Sequence, residues 1–360
     1  MNDNYYAVIM AGGGGTRLWP LSTKSRPKQL LNFIDNKSLF TLAIERLKGL
    51  FKQENIYIVT IADQLPSLHE QIPELSLDQF IIEPQPKGTA SVVGLAAINL
   101  LKKNPDAVMA VLTADHIIEN VPLFHSLLSS AYSLANQNHL ITLGIKPTYP
   151  ATGYGYIKSG NKLSHTDAHK VENFVEKPDE KTASQYFRDG NYFWNSGMFM
   201  WRVNRIMMEF KRQMPGLYSK LNQISDQFDN KDFREKIIDI WSSIKPETID
   251  YGIMENAKDV LMLKAEGLGW NDVGCWDSLY DFLPSNNSGN VIRNKNSELI
   301  DSSDVLIFSE NDNKIIATLG VENLVIIDTE NALLICKKGE TQRIKQIIKE
   351  IKDRNLDRFL

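Results

Sequence analysis

The sequence predicts an α/β protein: a mostly parallel sheet with helices on both faces, then a small all-β unit and a terminal helix. Three observations predict it. Over the first half, short β-rich apolar runs alternate with apolar residues at helical spacing, the pattern of strand–helix units whose strands run parallel. Past Gly289, apolar pairs recur too closely for such units. The last stretch carries Ile344, Ile347, Ile348 and Ile351, the stripe of an amphipathic helix.

The elements follow in order. Tyr6–Met10 is continuously apolar and reads as a buried strand, and Leu39, Leu42, Ala43, Leu47 and Leu50 recur as on a helix. Ile56–Val59 and Phe80–Ile82 read as strands, Val92–Leu101 as a largely buried helix, and Val108–Leu112 and Leu140–Leu143 as further strands. In such a sheet, ligands bind beyond the carboxyl ends of the strands. From Gly153 to Trp276 the pattern is mixed and aromatic-rich, and Ser285–Gly289 reads as a linker. These features divide the sequence into residues 1–284 and 285–360. In the second part, Val291-Ile292, Leu299-Ile300, Val305-Leu306, Ile315-Ile316, Val325-Ile326 and Leu333-Leu334 suit short stacked strands, as in a solenoid. A module of that kind is expected to carry no catalytic group, so truncation after Gly289 is expected to alter assembly or stability while sparing the activity of any soluble remainder.

Composition narrows the function. The 360 residues are 42% hydrophobic and 23% charged, ordinary for a globular protein. Forty basic against 44 acidic residues leave a net charge of −4, so no overall field attracts nucleic acid or an anionic membrane. Cys275 and Cys336 are too far apart in sequence to suggest a zinc pair or a disulfide framework. Met1–Tyr6 lacks the features of a signal peptide, and no apolar run approaches the ~20 residues that span a bilayer. A cytoplasmic protein is expected.

The strongest chemical signal is the run Ala11, Gly12, Gly13, Gly14, Gly15, Thr16, Arg17 directly after the first strand. Glycines let a backbone approach a phosphate chain and turn consecutive N–H groups toward it. Arg17 adds a planar cation suited to bidentate phosphate contact, and Lys28 supplies a second cation nearby. The alternative is a flexible turn with a solvated Arg, which the position after a first strand disfavours. A Walker A loop would need Gly-Lys-Ser/Thr where Thr16-Arg17 stands, and a dinucleotide fingerprint lacks its third small residue. Asp115 ends the strand of residues 108–112, where side chains reach the ligand edge, while His116 reads as packed or capping. Trp194, Trp201 and Trp276 read as core or pocket wall.

The string Gly12-Gly13-x-Gly15-Thr16-Arg17-Leu18-Trp19-Pro20-Leu21-Ser22, then Pro27-Lys28-Gln29, resembles the signature of bacterial mannose-1-phosphate guanylyltransferases, within the sugar-phosphate nucleotidyltransferase superfamily. The likeness continues in family order through Thr113–His116, Gly153–Ile157, Val175–Pro178, Trp194–Phe199, Ile249–Glu255, Trp270–Gly274 and Asn323–Thr329. It implies a Rossmann-like, GT-A-like nucleotidyltransferase domain with a left-handed β-helix-like end. It also implies the reaction of GTP with mannose 1-phosphate to give GDP-mannose and pyrophosphate.

By resemblance, Arg17 and Lys28 are the catalytic cations, and Ala11, Gly12, Gly13, Gly14, Gly15, Thr16, Lys87, Gly88, Thr89 and Asp115 bind the nucleotide. Gly155, Glu176, Lys177, Asn195 and Asp250 bind the sugar phosphate, with Lys177 on its phosphate. Asp115 and Asp272 hold Mg²⁺, a hard cation that completes its shell with phosphate oxygens and water. The chain departs from the family at Lys87-Gly88, where Arg-Asn is usual, which leaves nucleobase choice open. Alternatives are another nucleotide or sugar 1-phosphate, and a non-catalytic regulatory subunit, against which the retained charged residues argue. A homodimer is one assembly open to the chain.

Overall fold

A computed structural model of the chain describes residues 2–13, 15–34, 36–311 and 313–360. Its contacts group into two compact units: residues 1–12, 44–114 and 118–269 form one, and residues 13–43, 115–117 and 270–360 the other.

The first unit is built on a nine-stranded sheet. In chain order its strands are β1 (Tyr5–Met10), β2 (Ile56–Ile61), β3 (Phe80–Glu83), β4 (Val108–Thr113), β5 (Leu140–Ile145), β6 (Tyr156–Lys162), β7 (Ala168–Val175), β8 (Tyr192–Arg202) and β9 (Val260–Lys264). They lie in the order β3-β2-β1-β4-β8-β5-β9-β7-β6. The strands read from the first half, β1 to β4, pair in parallel. Beyond β4 the sheet is mixed: β8 runs antiparallel to β4, β5 and β6, while β9 is parallel to β5.

The parallel strands are covered on both faces, as apolar runs without alternation require. On one face Tyr6 and Val8 of β1 join a cluster with α1 (Thr89–Lys103), α3 (Val203–Gln213), α4 (Pro215–Ser225) and α5 (Phe233–Ser242). On the other, Tyr5 donates to the Leu128 carbonyl of α2 (Val121–Ala135) at 3.0 Å. The parallel register puts the carboxyl ends of β1, β2, β3 and β4 along one edge, where Gly12, Glu83 and Ala114 stand.

The second unit carries the tail. β10 (Val291–Arg293), β12 (Leu306–Ser309) and β14 (Leu324–Asp328) pair in parallel, and β15 (Leu333–Lys337) closes that sheet antiparallel. β11 (Ser297–Ile300) and β13 (Ile316–Leu319) pair separately. Each of the six apolar pairs of the sequence thus lies in or at the start of a short strand, with Val305 and Ile315 just before theirs. Val291, Leu306, Val325 and Leu334 meet α6 (Trp276–Phe282) and the terminal helix α7 (Ile344–Asp353), while Ile307 and Ile326 face Leu299 and Ile316.

The stretch read as a linker is a closed turn. The Asn286 side chain accepts from the backbone of Ser288 and Asn290, and the Asp304 N–H donates to the Ser288 carbonyl. No helix of the described residues is long and apolar enough to cross a membrane.

Candidate active site

In the second unit the glycine loop leads into a three-residue helical turn, Thr16–Leu18. Gly15 starts it at φ +60°, in the left-handed region that favours glycine, and a Cβ there would lie 2.2 Å from the Lys28 Cβ. Both facts demand glycine. Gly14 lies outside the described residues, and Gly13 has open space where a Cβ would be. Leu18 is fully buried, which anchors the turn by roughly 1.5–3 kcal/mol, and Arg17 is half-buried.

Pro27 then precedes a second turn, Lys28–Leu30. Lys28 is 7% exposed, and its ammonium donates to Asp115 Oδ2 at 2.7 Å and to the Asp272 main-chain carbonyl. A buried cation without partners would cost several kcal/mol, so these oxygens define where Lys28 can sit. Burial alone would raise the Asp115 pKa, but the Lys28 ammonium beside it outweighs that and holds the carboxyl below its ordinary value.

His116 is placed by its neighbour. The Trp270 indole N–H donates to His116 Nδ1 at 3.1 Å, with the rings edge to face, and His116 Nε2 lies 3.8 Å from Asp115 Oδ1. Because an indole only donates, Nδ1 is an acceptor and the ring proton sits on Nε2, toward the carboxylate. The packed role expected of His116 therefore comes with an orienting one.

The Asp272 carboxylate accepts from the Gly274 N–H at 2.8 Å, and a Cβ on Gly274 would fall 2.5 Å from Asp272 Oδ2. Between them Val273 stands at φ +47°, costly for a β-branched residue, and is held there by complete burial.

In the first unit, Ala11 is fixed by two bonds to β2 or its end: its N–H donates to the Val59 carbonyl, and its carbonyl accepts from Thr60 Oγ1 at 2.9 Å. A Cβ on Gly12 would meet Glu83 Oε1 at 3.0 Å. Glu83 is only 3% exposed, its Oε2 has no hydrogen-bond partner among the described residues, and burial pushes its pKa to about 7 against the opposing Lys87 N–H. Sequence reasoning passed over this residue. An acid at the end of an apolar strand was the available signal.

The neighbouring nucleotide candidates are tied down. Lys87 donates its ammonium to the Ser242 carbonyl at the end of α5, 2.7 Å away. Gly88, at φ +84°, leaves no room for a Cβ, which would lie 2.2 Å from the Glu247 carbonyl oxygen. Thr89 Oγ1 accepts from the Ile249 N–H at 2.9 Å. The Lys87 side chain and Gly88 thus have packing partners of their own.

Five predicted residues come together in this unit. Gly155 has no space for a Cβ, which would stand 2.4 Å from Glu176 Oε2. The Glu176 carboxylate pairs with Lys177, itself at φ +41°. The Gly155 carbonyl accepts from the Asn195 N–H at 2.8 Å, and Asn195 Nδ2 donates to Asp250 Oδ1 at 2.7 Å. The β8 register breaks between Asn195, which still pairs with Gly144, and Phe199, with Gly197 at φ +69° in the irregular stretch. Burial, and then the Glu176 charge, push the Asp250 carboxyl up to about 6.

Residues 6–288 match the family model described as nucleotidyl transferase. Residues 295–351 match a second model, the MannoseP isomerase/GMP-like beta-helix domain. The chain is 37% identical over 355 residues to the Klebsiella pneumoniae mannose-1-phosphate guanylyltransferase, covering 96% of this chain and 73% of that one.

A crystal structure titled mannose-1-phosphate geranyltransferase, from Thermus thermophilus, superposes with a TM-score of 0.87 at 29% identity, over 97% of this chain and 99% of that one. A mannose-6-phosphate isomerase structure from Helicobacter pylori, 24% identical with a TM-score of 0.62 over 75% of this chain and all of that one, shares the fold. The chain belongs to the nucleotidyltransferase family and, within it, to the mannose-1-phosphate guanylyltransferases.

Proposed function

We propose that the chain transfers a guanylyl group from GTP to mannose 1-phosphate, releasing pyrophosphate. An anionic oxygen of the sugar phosphate bonds to the α-phosphorus, and the bond from that phosphorus to the β-bridging oxygen breaks. Pyrophosphate leaves with the electron pair. No proton need move and no protein nucleophile is called for, so alignment and charge neutralisation carry the reaction.

The observation that carries this reading is the Lys28 ammonium, buried between the Asp115 carboxylate and the Asp272 carbonyl and packed under Gly15. It is a preorganised cation beside a phosphate loop, suited to the charge that grows on pyrophosphate. The loop N–H groups and Arg17 are assigned to the triphosphate. Lys177 is assigned to the sugar phosphate, and Gly155, Glu176, Asn195 and Asp250 to the sugar hydroxyls.

Glu83 supports guanine: that base presents adjacent N1–H and N2–H donors, which one carboxylate accepts as a pair. For Lys87 to Thr89 the proposal is kept on the backbone, since the Lys87 ammonium is engaged at Ser242.

A divalent metal is the general need of such enzymes, and the oxygens of Asp115 and Asp272 are the hard donors that suit Mg²⁺. Among the described residues no group of three or more His, Cys, Asp or Glu could cage an ion, which fits one that takes its other ligands from the nucleotide. When bound, such an ion neutralises charge along the triphosphate. The sequence boundary at 284/285 is proposed as the junction of two family modules.

Replacing Lys28 tests the reading: Lys28→Ala should lower kcat by ~10²-fold or more, as loss of a preorganised charge contact does. Wild-type turnover in a folded Lys28→Ala protein would remove this residue from the reaction.

A further inference from the structure

The C-terminal module was expected to carry no catalytic group of its own; within the second unit it nevertheless touches the turn after the glycine loop. Arg17 Nη1 donates to Gln342 Oε1 at 3.1 Å, Trp19 Nε1 donates to the Phe359 carbonyl at 2.7 Å, and Arg26 pairs with Glu310. Leu18, Trp19 and Leu21 pack in one apolar cluster with Ile344 and Ile348 of α7. The turn after the glycine loop is therefore seated on the last part of the chain.

Gln342 is well placed to orient Arg17. It lies in the turn Thr341–Arg343, whose first residue is fully buried and donates through Oγ1 to Asp277 Oδ2 at 2.5 Å. Its backbone is thus anchored, and among the described residues its side chain is the hydrogen-bond partner of the Arg17 guanidinium. A half-buried arginine on a three-residue turn would otherwise sample several rotamers and lose that freedom when it binds. Holding one Nη leaves the other N–H donors for phosphate oxygens. The holder is an amide, not a carboxylate, so it fixes the guanidinium without cancelling its charge.

We propose that Gln342 is a positioning residue for Arg17, and that the segment 341–360 is the seat of the phosphate loop. This rests on the reading of Arg17 as a triphosphate ligand.

The test is a double-mutant cycle in the full-length chain: wild type, Gln342→Ala, Arg17→Ala and the double variant, with kinetics for each substrate. Gln342→Ala should lower kcat/KM for GTP about tenfold, leave the KM for mannose 1-phosphate unchanged, and cause no further loss once Arg17 is gone. Gln342→Glu should also weaken GTP binding, because a carboxylate competes with phosphate for the guanidinium, while the melting temperature stays put. Wild-type kcat/KM in Gln342→Ala, or a tenfold loss that persists in the Arg17→Ala background, overturns the inference. Wild-type turnover in Arg17→Ala would overturn the role of Arg17 and this inference with it. An impaired Arg17→Ala beside an unimpaired Gln342→Ala would overturn the inference alone.

Discussion

Replacing Glu83 by Gln removes a buried carboxyl at the end of β3 while keeping its shape. Burial raises the pKa of this group from the ordinary 4.5 to about 7. The folded protein therefore binds the proton more tightly than the unfolded chain, and wild-type stability must fall as pH rises through that window. At 1.36 kcal/mol per pH unit, integration between pH 5 and pH 8 gives a loss of about 2.5 kcal/mol, with most of it below pH 7. Glu83→Gln should not show this loss, whatever fixed cost its amide adds, because that cost is the same at both ends. Urea titrations of both proteins at pH 5 and pH 8 measure the difference. Nucleotide selection should move with it: the variant loses preference for GTP, since an amide cannot accept both guanine donors. Parallel stability curves for the two proteins would refute the buried-carboxyl argument, and unchanged GTP preference would refute the guanine assignment.

Lys177→Ala should raise the KM for mannose 1-phosphate by about 10- to 150-fold and change that for GTP little, the loss of one charge-assisted contact; equal effects on both substrates in steady-state assays would count against it. Asp115→Asn and Asp272→Asn should each cut turnover by ~10²-fold or more at low Mg²⁺ with circular dichroism unchanged, and Mn²⁺ should restore part of it. Normal turnover of both variants across a Mg²⁺ titration would dismiss the carboxylate site.

Much of the fold was legible because burial writes itself into composition. The runs at Tyr6, Ile56, Phe80 and Val108 are apolar on both faces and became parallel strands, and the tail's apolar pairs became the solenoid. The reversal at β8 was not legible, because Trp194–Phe199 breaks register at Gly197, and an irregular strand has no simple period. The glycine loop and the Gly155–Glu176–Asn195–Asp250 group were visible as motifs. Contacts across long sequence separations were not. Nothing local in the sequence says that Lys28 meets Asp115, that Trp270 sets the His116 proton, or that Gln342 holds Arg17. Lys87 is another such contact: its ammonium reaches the Ser242 carbonyl at the end of α5, which the family segment around it does not announce. The strain at Lys177 and Val273 is equally silent in sequence, since neither residue type prefers positive φ.

The most direct test is ³¹P NMR of the purified chain with GTP, mannose 1-phosphate and Mg²⁺, repeated with other nucleoside triphosphates and hexose 1-phosphates. The account predicts that GDP-mannose and pyrophosphate appear in equal amounts, faster than from any other pairing. Formation of inorganic phosphate without a nucleotide sugar, or faster conversion of a different pair, would contradict it.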